Sequence, residues 1–252
     1  MPRPSQSQSQ RSQTDHNVSS QPVDESHLVR NVVKTILNLS INKSVIKRSD
    51  ISSIALKGDS RLYNRIIPEA AEILHEVPRN SPVVYGYKLV DVESKGKKTM
   101  ILCSTVETSS FAELNENYRR RYTLLFLMLG YIFMKNGTVP ESMMWDFLQT
   151  VGIDEQQEHE YFGEPKKLLE LFIKQAYVMR FKQSMEGMNE ESIFLSWGVR
   201  ANQEVSKREL LESMCKLMNR KPTDFKTQYI ETQGLSDDMS VDGDEESAEE
   251  LE

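Results

Sequence analysis

The chain has 252 residues, of which 38% are hydrophobic and 27% are charged, and this composition is typical of one or two globular domains with polar segments. The formal net charge is −7, but residues 231–252 contain ten acidic side chains and no lysine or arginine, so we expect a disordered acidic tail there. The rest of the chain is nearly neutral, with 31 basic and 28 acidic residues, which excludes nucleic-acid binding through bulk positive charge.

The first part of the chain predicts a polar arm followed by three helices. Residues 1–23 are rich in serine and glutamine and poor in apolar side chains, so we expect them to be disordered. A first helix is predicted over 24–39, where capping residues precede apolar residues at helical spacing. Two more helices are predicted over 49–55 and 60–75, the second with a kink or a late start at Pro68.

A β-hairpin follows these helices. Two segments of alternating character, 85–93 and 99–105, flank a Lys-Gly turn. Three helices followed by a two-stranded wing are the pattern of a winged-helix domain, which we place at 24–105. The polar residues 106–117 then form a linker, about which we expect the flanking domains to rearrange when a partner binds.

An apolar segment at 123–134 lies at the centre of the second half of the chain and has no polar stripe. A helix that is apolar on all sides is buried in a protein core or in lipid. Its twelve residues are too few to cross a bilayer, which needs roughly 20. We therefore interpret 118–135 as the central core helix of a second domain.

The elements after this helix repeat the order found in the first half. Two helices are predicted from Thr138 and Pro165, and two strands flank a polar turn at 185–191. A last helix is predicted over 202–218. The fold class is therefore mainly α with small β wings (α+β), with two tandem winged-helix domains, the second of which spans 118–230.

The cysteines and the first residues indicate a compartment inside the cell. Cys103 and Cys215 are far apart and form no CxxC pair, so we expect two buried free thiols, which suits a reducing environment. The first residues, MPRPSQSQSQ, lack the apolar segment of a signal peptide. We expect an intracellular, soluble protein, and these features do not separate cytoplasm from nucleus.

The sequence contains no pattern that is typical of an enzyme. It has no glycine-rich phosphate loop, dinucleotide fingerprint or GxSxG motif. The four histidines do not cluster with cysteines or acids at the spacing of metal ligands. We therefore predict no catalytic residues, no metal and no cofactor.

Several motifs in the second half are similar, in the same order, to the MAGE homology domain. They are IFM-x-N-G, W-x-F-L-x-x-x-G, H-x-x-F-G-x-P-K-K-L, and W-G-x-R-A followed by E-x-S-K. The segments IKRSDI and GYKLVDVE of the first half also match. The resemblance covers 28–230, and it implies two tandem winged helices, in agreement with the predicted elements. The loop at 78–83 and the acidic tail depart from the family pattern.

The resemblance implies a function that the residues alone do not. MAGE-domain proteins bind RING-type ubiquitin ligases and modulate them. The compact layout is most similar to the type that forms the third non-SMC element of the Smc-five/six complex, joins a RING-finger subunit to a kleisin subunit, and contacts DNA. We therefore expect a nuclear, non-catalytic scaffold that bridges these subunits and stimulates ubiquitin ligation in trans. It would contact SMC proteins indirectly, and DNA weakly and without sequence preference, during repair and recombination.

The resemblance also indicates candidate residues for the two protein partners. Ile36 and Leu37 match a paired-leucine segment that the family uses toward RING partners. Because adjacent residues lie about 100° apart on a helix, one or both can instead belong to the core. Leu210, Leu211 and Met214 of the last helix are candidates to receive a kleisin helix in a groove, or equally to be core residues.

Candidate DNA contacts are basic residues of the second domain, because phosphate contacts need clustered lysine and arginine. They are Lys166, Lys167, Lys174, Arg180, Lys182, Arg200, Lys207 and Arg208. Residues 118–230 contain 16 basic and 15 acidic side chains, so only a local patch could bind DNA. Each of these residues could equally be a solvated surface charge.

Two other functions are compatible with the sequence. A free-standing winged-helix regulator would need exposed arginine, asparagine or glutamine on a recognition helix. The helices predicted at 49–55 and 141–152 contain one glutamine and no arginine, which disfavours this reading. A MAGE protein that serves a RING ligase outside the chromosome complex is not excluded by the sequence.

Overall fold

The computed structural model describes residues 25–75, 86–94, 97–105, 115–184 and 191–237. Within these ranges the chain forms two consecutive units with the same order of elements. Each unit has a helix, a short strand, two helices and two longer strands, and further helices follow the second unit. The predicted fold class, α+β with tandem winged helices, is confirmed.

The first unit has three helices and three strands in its described residues. They are α1 (Glu25–Ser40), β1 (Ile46–Lys47), α2 (Arg48–Ile54), α3 (Tyr63–His75), β2 (Tyr87–Ser94) and β3 (Lys97–Ser104). Strand β3 lies between β1 and β2 and pairs antiparallel with both. Helix α3 begins five residues before Pro68, so the proline does not mark the start of the helix.

One face of α1 forms much of the first core. Val29, Val32, Val33 and Ile36 recur at helical spacing and are at most 6% exposed. The residues of the other elements in the same cluster include Ile46, Ile51, Ile66, Leu74, Met100 and Leu102. Because α1 buries this face, the opposite face of the helix, which carries Lys34, is left at the surface.

The second unit repeats this arrangement. Its elements are α4 (Glu116–Met134), β4 (Thr138–Pro140), α5 (Glu141–Thr150), α6 (Pro165–Lys174), β5 (Val178–Ser184) and β6 (Glu191–Trp197). Strand β6 pairs antiparallel with both β4 and β5. Helix α4 is the predicted core helix, and the side chain of Asn115 caps it by accepting from the N–H of Asn117. The last two residues of the predicted linker therefore belong to α4.

Helix α4 is the centre of the second core. Its residues with exposures of 3% or less are Leu124, Leu125, Met128, Leu129, Ile132 and Phe133. They pack against apolar residues of α5, α6 and β6. The indole N–H of Trp197 donates to the carbonyl oxygen of Leu129 at 2.9 Å, so this buried polar group is satisfied. No helix in the described ranges has the length and apolar character that a bilayer crossing requires.

The predicted last helix, 202–218, is two helices. They are α7 (Val199–Glu204) and α8 (Lys207–Met218). The backbone of Val205 is extended, which interrupts the helical hydrogen-bond pattern. The Ser206 side chain then caps α8 by accepting a backbone N–H of its first turn. The apolar residues of the sequence continue at helical spacing through both helices, so the sequence alone did not predict this break.

A further helix begins where the sequence predicts little order. After a 3-10 turn at Pro222–Asp224, α9 runs over Lys226–Asp237, so residues 231–237 of the predicted tail are helical. The side chain of Gln228 is 6% exposed and donates to the carbonyl oxygen of Phe133 at 3.4 Å. Gln228 of α9 therefore satisfies a backbone carbonyl at the end of α4, and Phe225 and Tyr229 pack against the second core.

Some predictions concern residues outside the described ranges. They are the arm at 1–23, the loop at 78–83, the linker up to 114 and the acidic tail beyond 237. The boundaries of the two domains stay predictions.

Candidate functional site

The exposed face of α1 forms a shallow groove with α3. Its lining residues are Arg30, Val33, Lys34, Leu37, Asn38 and Ile73. Ile41, the first residue after α1, is 75% exposed. The groove thus carries two cations, Arg30 and Lys34, beside the aliphatic side chains of Val33, Leu37 and Ile73. Such a surface suits a partner segment that offers apolar anchors beside acidic groups.

Of the two residues predicted to contact a RING partner, one lines this groove. Leu37 is half-buried, and its role stays a prediction. Ile36 is 0% exposed. Its side chain points about 100° away from that of Leu37 and faces the first core, so the structure corrects its predicted role. The sequence analysis did not name Ile41, which is exposed directly after the end of α1.

The three residues predicted to receive a kleisin helix lie in the second core. Leu210, Leu211 and Met214 are 3%, 1% and 8% exposed. The structure corrects this prediction, because the face of α8 that carries them packs against α4 and cannot contact a partner without opening the core. The apolar residues of α8 that do reach the surface are Leu217 and Met218, which are 69% and 41% exposed.

The second unit contains a cleft between α5, α6 and the second wing, with a volume of about 680 Å³. Met143 and Ile193 line it and are 41% and 42% exposed, and Trp145 lies beside them. The rim carries both charge signs, including Arg180 and Glu141, whose side chains are joined at 2.8 Å. An open apolar surface with mixed charges at its rim suits a peptide segment of a partner.

Four of the predicted DNA contacts are exposed, namely Lys166, Lys167 and Lys174 on α6 and Lys182 on β5. Lys166 and Lys167 each pair with a glutamate, at 2.9 and 2.6 Å. Lys174 lies in the last turn of α6, and Lys182 lies on β5. Because surface ion pairs are worth only about 0.2–1 kcal/mol, a phosphate could displace these carboxylates. The local charge on the α6 face is nevertheless close to balanced.

Three other predicted DNA contacts form ion pairs of different kinds. Arg180 binds two glutamates at 2.8 and 2.6 Å with 27% of its side chain exposed. Lys207 donates to Glu231 of α9 at 2.6 Å, and its ammonium lies 5.4 Å from the Trp197 ring. Arg208 is 65% exposed, with one ion pair at 3.4 Å. The first two therefore tie elements of the fold together, whereas Arg208 stays at the surface.

Arg200 lies between the two units and is 0% exposed. Its guanidinium donates to the carbonyl oxygens of Leu102 at 2.7 Å, Lys43 at 3.0 Å and Gln175 at 2.8 Å, and to the Glu204 carboxylate at 2.9 Å. Two of these acceptors, the carbonyl oxygens of Leu102 and Lys43, belong to the first unit. One side chain of the second unit therefore connects the two units. The prediction that this arginine contacts DNA is wrong, because the side chain does not reach solvent.

Lys43 makes the reciprocal contact from the first unit. Its ammonium donates to the Tyr177 hydroxyl at 2.6 Å and to the Glu204 carboxylate at 3.0 Å. It also lies 5.4 Å from the centre of the Tyr122 ring and 5.3 Å from that of Tyr177. The Tyr177 hydroxyl donates to the same carboxylate oxygen. We call Lys43, Tyr177, Arg200 and Glu204 the interdomain cluster.

The contacts within the cluster determine its charges. Burial alone would raise the pKa of Glu204, but the nearby Lys43 ammonium, the Tyr177 hydroxyl and the Arg200 guanidinium hold it below its ordinary value of 4.5. Burial lowers the pKa of Lys43, but the Glu204 carboxylate and the Tyr122 hydroxyl together outweigh this and leave it raised. Burial and the same carboxylate raise the pKa of Tyr177. At neutral pH, Glu204 is thus ionised, Lys43 is charged and Tyr177 is neutral.

Apolar contacts surround the interdomain cluster. Ile101 and Cys103 on the outer face of β3 pack with Ala176 and Val199 of the second unit. Cys103 is 2% exposed, and burial raises the pKa of its thiol to about 11. The other cysteine, Cys215, is buried in the second core, which confirms the prediction of two buried free thiols.

Comparison with known proteins agrees with this architecture. The model of the MAGE homology domain matches residues 32–208. The chain belongs to the MAGE homology domain family. This match includes all four residues of the interdomain cluster, whereas α9 lies beyond it.

The relatives of this MAGE-domain chain include proteins named non-structural maintenance of chromosomes element 3 homolog. The mouse protein is 35% identical over 84% of this chain and 73% of its own length. The human protein is 35% identical over 81% of this chain and 64% of its own length. A chain in a solved structure of the Nse1–Nse3–Nse4 complex matches with a TM-score of 0.69 and 30% identity, over 83% of this chain and 97% of that one.

Sequence reasoning did not find the interdomain cluster. Arg200 belongs to a recognised MAGE motif, and its spacing of four residues from Glu204 is typical of a helical ion pair. Lys43 and Tyr177 are 134 residues apart and carry no local signal of their contact. Only the packing of the two units brings these four side chains together.

Proposed function

We propose that this chain is a non-catalytic scaffold subunit of a chromosome-maintenance complex of the Smc5/6 type and that it acts in the nucleus. One observation carries the proposal: the chain matches 97% of a chain in the solved Nse1–Nse3–Nse4 complex. In this role it bridges a RING-type ubiquitin ligase subunit and a kleisin subunit, and it meets SMC proteins only indirectly.

The face of α1 is the surface that we assign to the RING-type subunit. Leu37 and Ile41 would act as apolar anchors there, since hydrophobic side chains that become buried dominate most interfaces. Lys34, one turn before Leu37, is exposed and would favour acidic groups on the partner. Ile36 cannot be used to test this surface, because truncating a fully buried isoleucine costs about 2–5 kcal/mol of folding stability.

Binding of the purified RING-type subunit tests this assignment. We expect Leu37→Asp combined with Ile41→Asp to weaken binding at least about thirtyfold, which corresponds to roughly 2 kcal/mol. Ile54→Asp is the matched control, because Ile54 is a 61% exposed isoleucine of the same unit that lies on α2 rather than on α1 or directly after it. Equal binding by the double variant and the control would remove this face from consideration.

The cleft of the second unit is the surface that we assign to the kleisin subunit, because the residues of α8 first considered are buried. Its apolar side chains could receive an amphipathic helix, with the charged rim fixing the orientation of that helix. We expect Met143→Glu combined with Ile193→Glu to abolish binding of a kleisin fragment. Val151→Glu should leave binding intact, because Val151 is 50% exposed at the end of α5 but outside the cleft.

Stimulation of ubiquitin ligation in trans would follow from binding of the RING-type subunit. We expect the purified chain to increase ubiquitin-chain formation by that subunit and its conjugating enzyme. The α1 double variant should lose this effect at protein concentrations where the Ile54 control retains it. Stimulation by both variants alike would show that ligation does not depend on this surface.

The proposed role also includes a weak, sequence-independent contact with DNA. The outer face of the first wing packs on the second unit, so the second wing and α6 are the better surface. We expect Lys167→Glu combined with Lys174→Glu to lower affinity for every duplex and to reduce the salt dependence of binding. Unchanged affinity would exclude α6 as the contact.

An alternative function is a MAGE-type regulator of another RING ligase, which family membership also allows. Affinity purification of the tagged chain from nuclear extract separates the two. Recovery of a RING subunit, a kleisin and two SMC proteins supports the proposed role. A RING ligase without SMC proteins supports the alternative, and recovery of DNA alone supports a free-standing DNA-binding regulator.

A further inference from the structure

We propose that Lys43, Tyr177, Arg200 and Glu204 form a lock that holds the two winged-helix units in one fixed arrangement. The proposal concerns the chain itself and does not depend on any partner. It predicts that the units separate through loss of this cluster, without unfolding of either core.

The lock is built from contacts in both directions across the interface. Arg200 of the second unit donates to the carbonyl oxygens of Leu102 and Lys43 in the first unit. Lys43 of the first unit donates to Tyr177 and Glu204 in the second. Both oxygens of the Glu204 carboxylate are used, one by Arg200 and the other by Lys43 and Tyr177. Removing any one of these four side chains would therefore leave a charge or a hydrogen-bonding group of another without its partner.

Burial makes this arrangement cooperative. Arg200 is 0% exposed, and the Glu204 side chain is 12% exposed. Taking a charge out of water is costly, and only its partners compensate for that cost. If Glu204 is neutralised, the buried Arg200 and the partly exposed Lys43 lose their shared counterion. The repulsion and the unpaired donors then favour separation of the two units, which returns the Arg200 guanidinium to solvent.

The fixed arrangement limits the movement that the linker between the units could otherwise allow. We expected the segment 106–117 to act as a hinge when a partner binds. While the lock is intact, the α1–β1 connection and the start of α7 are joined directly, through Lys43 and Arg200. Movement of one unit relative to the other therefore requires the cluster to open first, whatever the length of the linker.

The two cysteines of the chain distinguish separation of the two units from unfolding of the second core. Cys103 packs with Ala176 and Val199 across the interface. Cys215 lies 1% exposed inside the second core, away from the interface. Separation of the units therefore exposes Cys103 alone, whereas loss of the second core exposes Cys215. The ratio of their reaction rates with a small thiol reagent distinguishes the two events.

The experiment measures the labelling rate of each cysteine in the full-length chain under native conditions, with mass spectrometry to assign the site. We expect Glu204→Gln to speed the labelling of Cys103 at least about tenfold, and to speed that of Cys215 much less, because the second core must still unfold before Cys215 reacts. Glu212→Gln is the matched control, because Glu212 also pairs with an arginine but at the surface. Lys43→Gln, a milder change at a partly exposed side chain, should give a smaller increase of the same kind.

Three results would overturn the lock. The first is a Cys103 rate in Glu204→Gln equal to that of the control. The second is an equal rise at Cys103 and Cys215, which would mean that the interface opens only when the cores unfold. The third is Cys103 labelling in the unaltered chain as fast as in a denatured sample. A selective rise at Cys103 in both cluster variants supports the proposal.

Discussion

Arg200→Met provides the sharpest test of the role that the structure gives to Arg200. The substitution keeps a long side chain of similar length but removes all the donors of the guanidinium. Sequence reasoning placed this residue in a DNA contact, whereas the structure places it between the two units with four acceptors. The two assignments predict different losses, one in DNA affinity and the other in stability.

The size of the loss follows from the acceptors that Arg200 leaves behind. Three are buried carbonyl oxygens, of Leu102, Lys43 and Gln175. Each unsatisfied buried acceptor costs about 1–3 kcal/mol when no water replaces its donor. The Glu204 carboxylate keeps two other donors, and methionine recovers part of the packing. We therefore expect the free energy of unfolding to fall by about 3–5 kcal/mol, the range for a broken buried ion pair.

Urea denaturation followed by circular dichroism measures this change. Arg208→Met is the control, since Arg208 is 65% exposed and makes one ion pair, and it should cost less than about 1 kcal/mol. A loss for Arg200→Met no larger than that of the control would refute the reasoning. If its stability were unchanged and its DNA affinity reduced, the original assignment to DNA would be restored.

Two further predictions concern the same interface. A Cβ added at Gly198 would lie 2.2 Å from the carbonyl oxygen of Ala176. Gly198→Ala should therefore lower the free energy of unfolding in urea by at least about 2–3 kcal/mol. Gly130→Ala is the control and should lower it less, because the added Cβ meets only the flexible Met214 side chain, at 2.8 Å. Because the pKa of Glu204 is below 4.5 in the folded chain, it stabilises the fold above about that pH and loses this effect as pH falls. The stability gap between the unaltered chain and Glu204→Gln should therefore narrow from pH 6 toward pH 3, and a constant gap would contradict the assigned charge.

Local sequence patterns were sufficient for most of the fold and little of the site. Helical spacing of apolar residues located α1, because a core face leaves a periodic pattern. A continuous apolar segment located α4, because a helix that is apolar on all sides lies in a core. The same spacing could not decide between Ile36 and Leu37, which differ only in the direction that each side chain takes. It also could not show that Leu210 is buried by α4, or that Val205 interrupts the last helix. These outcomes depend on tertiary packing, which short-range patterns do not encode.

The interdomain cluster fixes the position of the two proposed partner surfaces relative to each other. The α1 face lies in the first unit, and the cleft beside Trp145 lies in the second. A scaffold that bridges two subunits must hold both surfaces in place, because motion between them would weaken simultaneous binding. Lys43 lies two residues after Ile41, so the lock also holds the end of the α1 face itself. We therefore expect Glu204→Gln to retain binding of each partner alone but to weaken the assembly of all three proteins.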